Sequence, residues 1–195
     1  MDKPLDPFVA KPRVRRRALW IAAVILLILA ALALSQMPLA GQLGATLGQF
    51  SPAPRIGSRM LDFTLPATTG ESVSTTEFAG KALVINFWAT WCVPCRQEMP
   101  ALQQIYDAHR AHGLVLLGVD YGEERDQVVN YAREIGVSFP LLLDRDTAVG
   151  QRYRVQGLPT TVFVDRQGII RDVVVGGPMN ILYIEAKVLP LLDEK

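Results

Sequence analysis

Apolar positions fall into three regimes along the chain. Residues 18–34 are an unbroken apolar run of 17, set inside a stretch, residues 18–54, with no Asp, Glu, Lys or Arg in 37 positions. Residues 38–58 then scatter Gly41, Gly44, Gly48, Pro52, Pro54 and Gly57 among small and polar residues, the composition of a flexible tether. From residue 59 onward, short continuous apolar blocks alternate with segments whose apolar positions recur at helical spacing.

Residues 81–88 read as a buried strand through Ala-Leu-Val-Ile-Asn-Phe-Trp. From Pro94 to about Ala111, Met99, Leu102, Ile105 and Tyr106 share one helical face, and Gly113 ends the helix. A strand is expected over 114–120, and a helix over 126–135 with Val128, Val129, Ala132 and Ile135 on one side. A short strand over 141–143 and a helix over 146–153 follow. Strands over 160–165 and 169–175 are joined by Arg166-Gln167-Gly168, which is hairpin spacing and predicts an antiparallel pair. A helix over 180–189 closes the pattern. These elements predict an α/β domain with a mixed central sheet and helices on both faces.

Charge divides the chain further. Residues 1–17 carry a net charge of +4, whereas the whole chain sums to +1 and the remainder therefore to −3. A mildly acidic domain lacks the basic face that phosphate neutralisation needs, so no nucleic-acid partner is expected. The apolar run is about 25 Å long as a helix, and extension through Ser35, Gln36 and Met37 brings it to the thickness of a hydrocarbon core. Because the basic residues lie only on its N-terminal side, the positive-inside rule places residues 1–17 in the cytoplasm and the domain outside. A cleaved signal peptide is the alternative, although its apolar core is normally only about 7–15 residues. The organisation expected is thus a cytoplasmic basic tail at 1–17, one N-terminal transmembrane helix at 18–37 acting as anchor or uncleaved signal, a tether at 38–58 and a domain at 59–195.

The chain has two cysteines, Cys92 and Cys95, at a predicted strand-to-helix junction. A thiolate at a helix N-terminus is stabilised by the macrodipole and by unpaired backbone N–H groups, which lower its pKa. Cys92 is expected to be the exposed attacking thiolate, with Cys95 one turn deeper as the resolving thiol. Pro94 suits the first helical turn, where its missing N–H costs nothing. A purely structural disulfide here would close too short a loop to restrict the unfolded chain much. Cys92, Cys95, His109 and His112 also spell a zinc-like C-x2-C-x13-H-x2-H. His109, however, would lie roughly 21 Å along the helix from Cys95, so no metal site is expected.

The segment Asn86-Phe87-Trp88-Ala89-Thr90-Trp91-Cys92-Val93-Pro94-Cys95-Arg96-Gln97-Glu98-Met99-Pro100, with Gly157-Leu158-Pro159-Thr160-Thr161 further on, resembles the thioredoxin superfamily. It is most similar to the membrane-tethered, extracytoplasmic TlpA/ResA/DsbE-like group. The resemblance covers about residues 55–190 and implies a thioredoxin-like fold. It implies a cis Pro159 facing the sulfurs, with Leu158 beside it, and Trp91 and Pro94 on the substrate-binding rim. Trp88 belongs either to that rim or to the core. Glu98 matches an acidic residue of the group and would exchange a proton with Cys95; a first-turn Glu favoured by the helix dipole is the other reading. Thioredoxin itself carries a buried Asp at the position of Asn86, and Asn cannot titrate.

Thiol–disulfide exchange is therefore the expected activity, with protein disulfides as substrates and no cofactor beyond the redox-active Cys92–Cys95 pair. The resemblance implies a membrane thiol or electron transporter as reductant, and apocytochrome c or copper-site cysteines as targets. Two other readings use the same pair: a tethered thiol peroxidase, and a metallochaperone holding Cu(I) between soft thiolates.

Overall fold

The computed structural model describes residues 14–35 and 54–193. The predicted tail up to residue 13, the last two residues of the predicted anchor, 36–37, most of the predicted tether, 38–53, and residues 194–195 lie outside the described residues. The chain divides into two units, residues 1–51 and 52–195.

In the first unit, Val14–Ser35 is a 22-residue helix, α1. Its described side chains, 20–30 and Leu32, are all exposed. Among the described residues, no helix is long and apolar enough to cross a membrane.

The second unit is built on a five-stranded mixed sheet. Its strands are β3 (Ala82–Trp88), β4 (Leu114–Tyr121), β5 (Leu141–Asp144), β6 (Thr160–Val164) and β7 (Ile170–Val175), and the spatial order is β5-β4-β3-β6-β7. β3, β4 and β5 run parallel, while β6 is antiparallel to both β3 and β7. The central β3 is buried along its whole length, which accounts for its continuous apolar run. Its side chains alternate between two cores. Val84 and Trp88 face the core shared with helices α2 (Val93–His109), α3 (Arg125–Ile135) and α5 (Ile181–Asp193). Leu83, Ile85 and Phe87 face the opposite core, with Phe63, Leu65 and the short helix α4 (Ala148–Arg152) through Val149. Helices thus cover both faces of the sheet, and the fold is thioredoxin-like.

Two local differences from the sequence expectation have physical causes. A two-stranded antiparallel pair, β1 (Thr64–Pro66) and β2 (Ser72–Ser74), precedes the sheet, followed by a 3-10 turn over Thr75–Phe78. Strands of three residues containing Pro or Ser are too short for a period-two pattern to emerge. Helix α5 runs beyond Leu189 and through Pro190 to Asp193. Pro190 lies on the exposed side, and Leu191 extends the buried line of Ile184 and Val188 for another turn. Helix α2 likewise accommodates Pro100 at an exposed position.

The segment entering the domain is stitched to the β6–β7 turn. Gly57 N–H donates to Ile170 O, Ile170 N–H to Ser58 O, and Met60 N–H to Gly168 O, at 2.8, 2.9 and 2.9 Å.

Candidate active site

Cys92 and Cys95 are joined as a disulfide at the N-terminus of α2, with Cα atoms 5.3 Å apart. Their place follows from β3: the strand ends at Trp88, four residues of turn follow, and Cys92 caps the helix. Cys92 N–H donates to Ala89 O at 3.2 Å, closing that turn. The Cys95 backbone N–H donates to Cys92 Sγ at 3.3 Å. That donor, with the helix dipole behind it, faces the sulfur on which charge appears when the disulfide opens. Pro94 sits in the first turn, as its chemistry favours.

The sulfurs are less open than expected. Cys92 is 4% exposed and Cys95 fully buried, so the expectation of an exposed Cys92 is corrected for this oxidised state. The exposed groups are its neighbours, Trp91 at 66% and Val93 at 63%. They form an apolar rim in front of a recessed disulfide. Trp88, by contrast, is fully buried in the core.

Glu98 is also fully buried. One oxygen, Oε1, accepts a 2.8 Å hydrogen bond from Asn86 Nδ2, and the other, Oε2, accepts from Met179 N–H at 3.1 Å. Asn86 in turn donates to Thr161 Oγ1 at 2.8 Å, across the β3–β6 register that pairs the two residues. Burial pushes the Glu98 carboxyl up from its ordinary range, and the hydrogen bonds from Met179 and Asn86 oppose this in part. A carboxyl in this environment holds a proton more readily than a solvated one, which suits an acid or base beside thiols.

Leu158–Pro159 is a cis peptide, and Pro159 is buried. Leu158 is half-buried and packs against the core that contains both cysteines, Met99 and Met179. Gly177 joins Pro159 to Glu98. A Cβ placed on Gly177 would lie 2.7 Å from Glu98 Oε2 and 2.9 Å from Pro159 Cγ. The segment after β7 therefore approaches the carboxylate and the proline ring with bare backbone.

The structure thus gathers Cys92, Cys95, Glu98, Leu158 and Pro159 at one end of the sheet, with Trp91 and Pro94 on the same loop and helix start. His109 and His112 lie at the far end of α2, with His109 Nε2 3.5 Å from Glu185. Sequence reasoning missed Gly177 and the Met179 N–H, because a backbone donor and a close approach leave no motif.

Residues 56–173 match the AhpC/TSA family. The chain belongs to this family of thioredoxin-like proteins. Within its wider kinship, the chain is 36% identical over 124 residues to the thiol-disulfide oxidoreductase ResA of Geobacillus thermodenitrificans, covering 64% of this chain and 71% of the relative. It is also 36% identical over 120 residues to ResA of Bacillus subtilis, covering 62% and 67% respectively. Among solved structures, a thiol:disulfide interchange protein DsbE from Chlorobium tepidum superposes with a TM-score of 0.68 at 28% identity. That superposition covers 72% of this chain and 99% of the other. This AhpC/TSA family member is a thiol–disulfide oxidoreductase working by dithiol/disulfide exchange.

Proposed function

We propose that the protein is a membrane-anchored, extracytoplasmic reductase of protein disulfides, serving cytochrome c maturation or copper-site cysteines. Cys92 thiolate attacks one sulfur of a substrate disulfide; the substrate's other sulfur leaves as a thiolate, and a mixed disulfide forms. Cys95 gives its proton to the Glu98 carboxylate and attacks Cys92 Sγ, which expels the second substrate thiolate. Two electrons reach the substrate, and the Cys92–Cys95 disulfide remains. A membrane thiol or electron transporter then returns two electrons to the pair, because the extracytoplasmic compartment does not itself keep thiols reduced.

The observation that carries this reading is the buried Glu98 carboxyl, held by Asn86 and Met179 at the end of the sheet that bears the disulfide. It offers a proton acceptor of raised pKa to a thiol that solvent does not reach. Trp91, Val93, Pro94 and Leu158 supply the apolar surface against which a substrate chain docks, with the buried cis Pro159 behind Leu158. The tethered location rests on the uncharged run of residues 18–54 behind a basic tail.

The deciding measurement is the equilibrium reduction potential of the full chain in detergent against glutathione. A value near that of thioredoxin, about −270 mV, makes the protein a reductant, whereas one near about −120 mV makes it an oxidant and overturns the proposal. Accessibility labelling of residues on either side of α1 in spheroplasts tests the location.

A further inference from the structure

The turn that presents Cys92 is fastened by a carboxylate from the neighbouring strand. Asp120 closes the buried part of β4 and pairs in register with Trp88, the last residue of β3. After Gly122, whose φ of +89° lets the chain reverse, Glu123 N–H returns to Asp120 Oδ1 at 3.0 Å. The Glu123 side chain reaches the other way. Its Oε2 accepts from Thr90 N–H at 2.5 Å and its Oε1 from Thr90 Oγ1 at 2.6 Å. Thr90 is the second residue of the Ala89–Cys92 turn.

We propose that Glu123 is a positioning residue for thiol–disulfide exchange: it fixes the Ala89–Cys92 turn through Thr90, and Asp120 fixes Glu123 in turn. The donors are distributed unequally between the two carboxyl groups. Both Glu123 oxygens receive donors from Thr90, so the whole carboxyl group is engaged in holding the turn. Asp120 is fully buried, and its Oδ2 faces no donor among the described residues. That oxygen carries the proton. The ionisable groups that face Asp120 are Glu123, from the loop after β4, and Asp144, from β5; β3 contributes Trp88, which does not titrate. Burial first, then the Glu123 side chain and repulsion from Asp144, pushes Asp120 up to about 8, while the hydrogen bond from the Glu123 backbone N–H opposes the rise.

When Asp120 loses its proton, two adjacent carboxylates repel, Glu123 is drawn from Thr90, and the turn loosens. Exchange at Cys92 then slows just where a free thiol would still be gaining reactivity with pH.

The test is the second-order rate of the reduced full chain in detergent with oxidised glutathione, followed from neutral to alkaline pH. The wild-type profile is expected to bend downward above about pH 8. Glu123→Ala is expected to lose about tenfold to a hundredfold in rate, and Glu123→Gln to recover part of that loss. Asp120→Asn is expected to remove the bend. Thr90→Val deletes only the hydroxyl, so it carries the test if Glu123→Ala does not fold; it is expected to lose about tenfold. Wild-type rates in Thr90→Val and in Glu123→Ala overturn the positioning role. An unaltered bend in Asp120→Asn overturns the part given to Asp120.

Discussion

Asn86 donates an amide hydrogen to Glu98 across the β3–α2 interface, at 2.8 Å from nitrogen to oxygen. The residue that cannot titrate thus holds the one that can. A buried Asp at position 86 would face Glu98 with a second acceptor, and one of the two carboxyls would have to keep a proton. With Asn, the strand supplies a fixed donor, and Glu98 is the titratable side chain of the pair.

Asn86→Asp should therefore be costly. It removes the donor from Glu98 and places two buried acceptors together, for a loss of about 1–3 kcal/mol. The loss should grow as pH rises and both carboxyls are driven to ionise. Urea unfolding of the oxidised protein at several pH values measures this, and a loss that does not vary with pH would contradict it.

Glu98→Gln separates proton transfer from packing. General acid–base participation is worth about 10²–10⁴-fold, so release of substrate from the mixed disulfide should slow within that range while formation of the mixed disulfide changes little. Stability should respond in a defined direction. A raised carboxyl keeps its proton in the native state when the unfolded chain has already lost it, so stability falls as pH climbs above the ordinary Glu value of 4.5. Glu98→Gln should flatten that part of the stability–pH curve. Single-turnover kinetics and unfolding series together decide both points.

Gly177→Ala inserts a methyl group 2.7 Å from Glu98 Oε2 and 2.9 Å from Pro159 Cγ. The proline ring cannot rotate away, and Glu98 is held by Asn86. The expected cost is about 1–3 kcal/mol, as for other overpacked sites, together with slower exchange. In the Glu98→Ala background the carboxylate contact is gone, so the penalty should shrink. A double-mutant cycle in urea reads this coupling.

Trp91→Ser removes a side chain that is 66% exposed. Stability should change by less than about 0.5 kcal/mol, the usual range for a surface site. The KM for a peptide disulfide should rise, since the apolar rim ahead of the sulfurs is lost. Steady-state kinetics beside a thermal melt would show the two effects apart, and an unchanged KM would remove Trp91 from the docking surface.

The periodicity of residues 81–175 was sufficient to place the five strands of the sheet, because β3 to β7 alternate or run apolar in lengths that the pleat requires. The cysteine pair was legible for a local reason: capping, Pro94 and the dipole all act within one turn. The contacts that set Glu98 were not. Asn86, Glu98 and Met179 come from three elements up to 93 positions apart, and one partner is a backbone N–H that every residue but proline possesses. Glu123 was hidden in the same way. Its sequence neighbourhood is an ordinary strand end, and only the register of β4 beside β3 brings it to Thr90.

The hydrogen bonds that bind residues 57–60 to the β6–β7 turn also fix where the chain enters the domain. Val164 pairs with Leu83 near the start of β3, so that turn lies at the pole of the sheet opposite Cys92. Entry into the domain and thiol chemistry thus occupy opposite poles of one sheet.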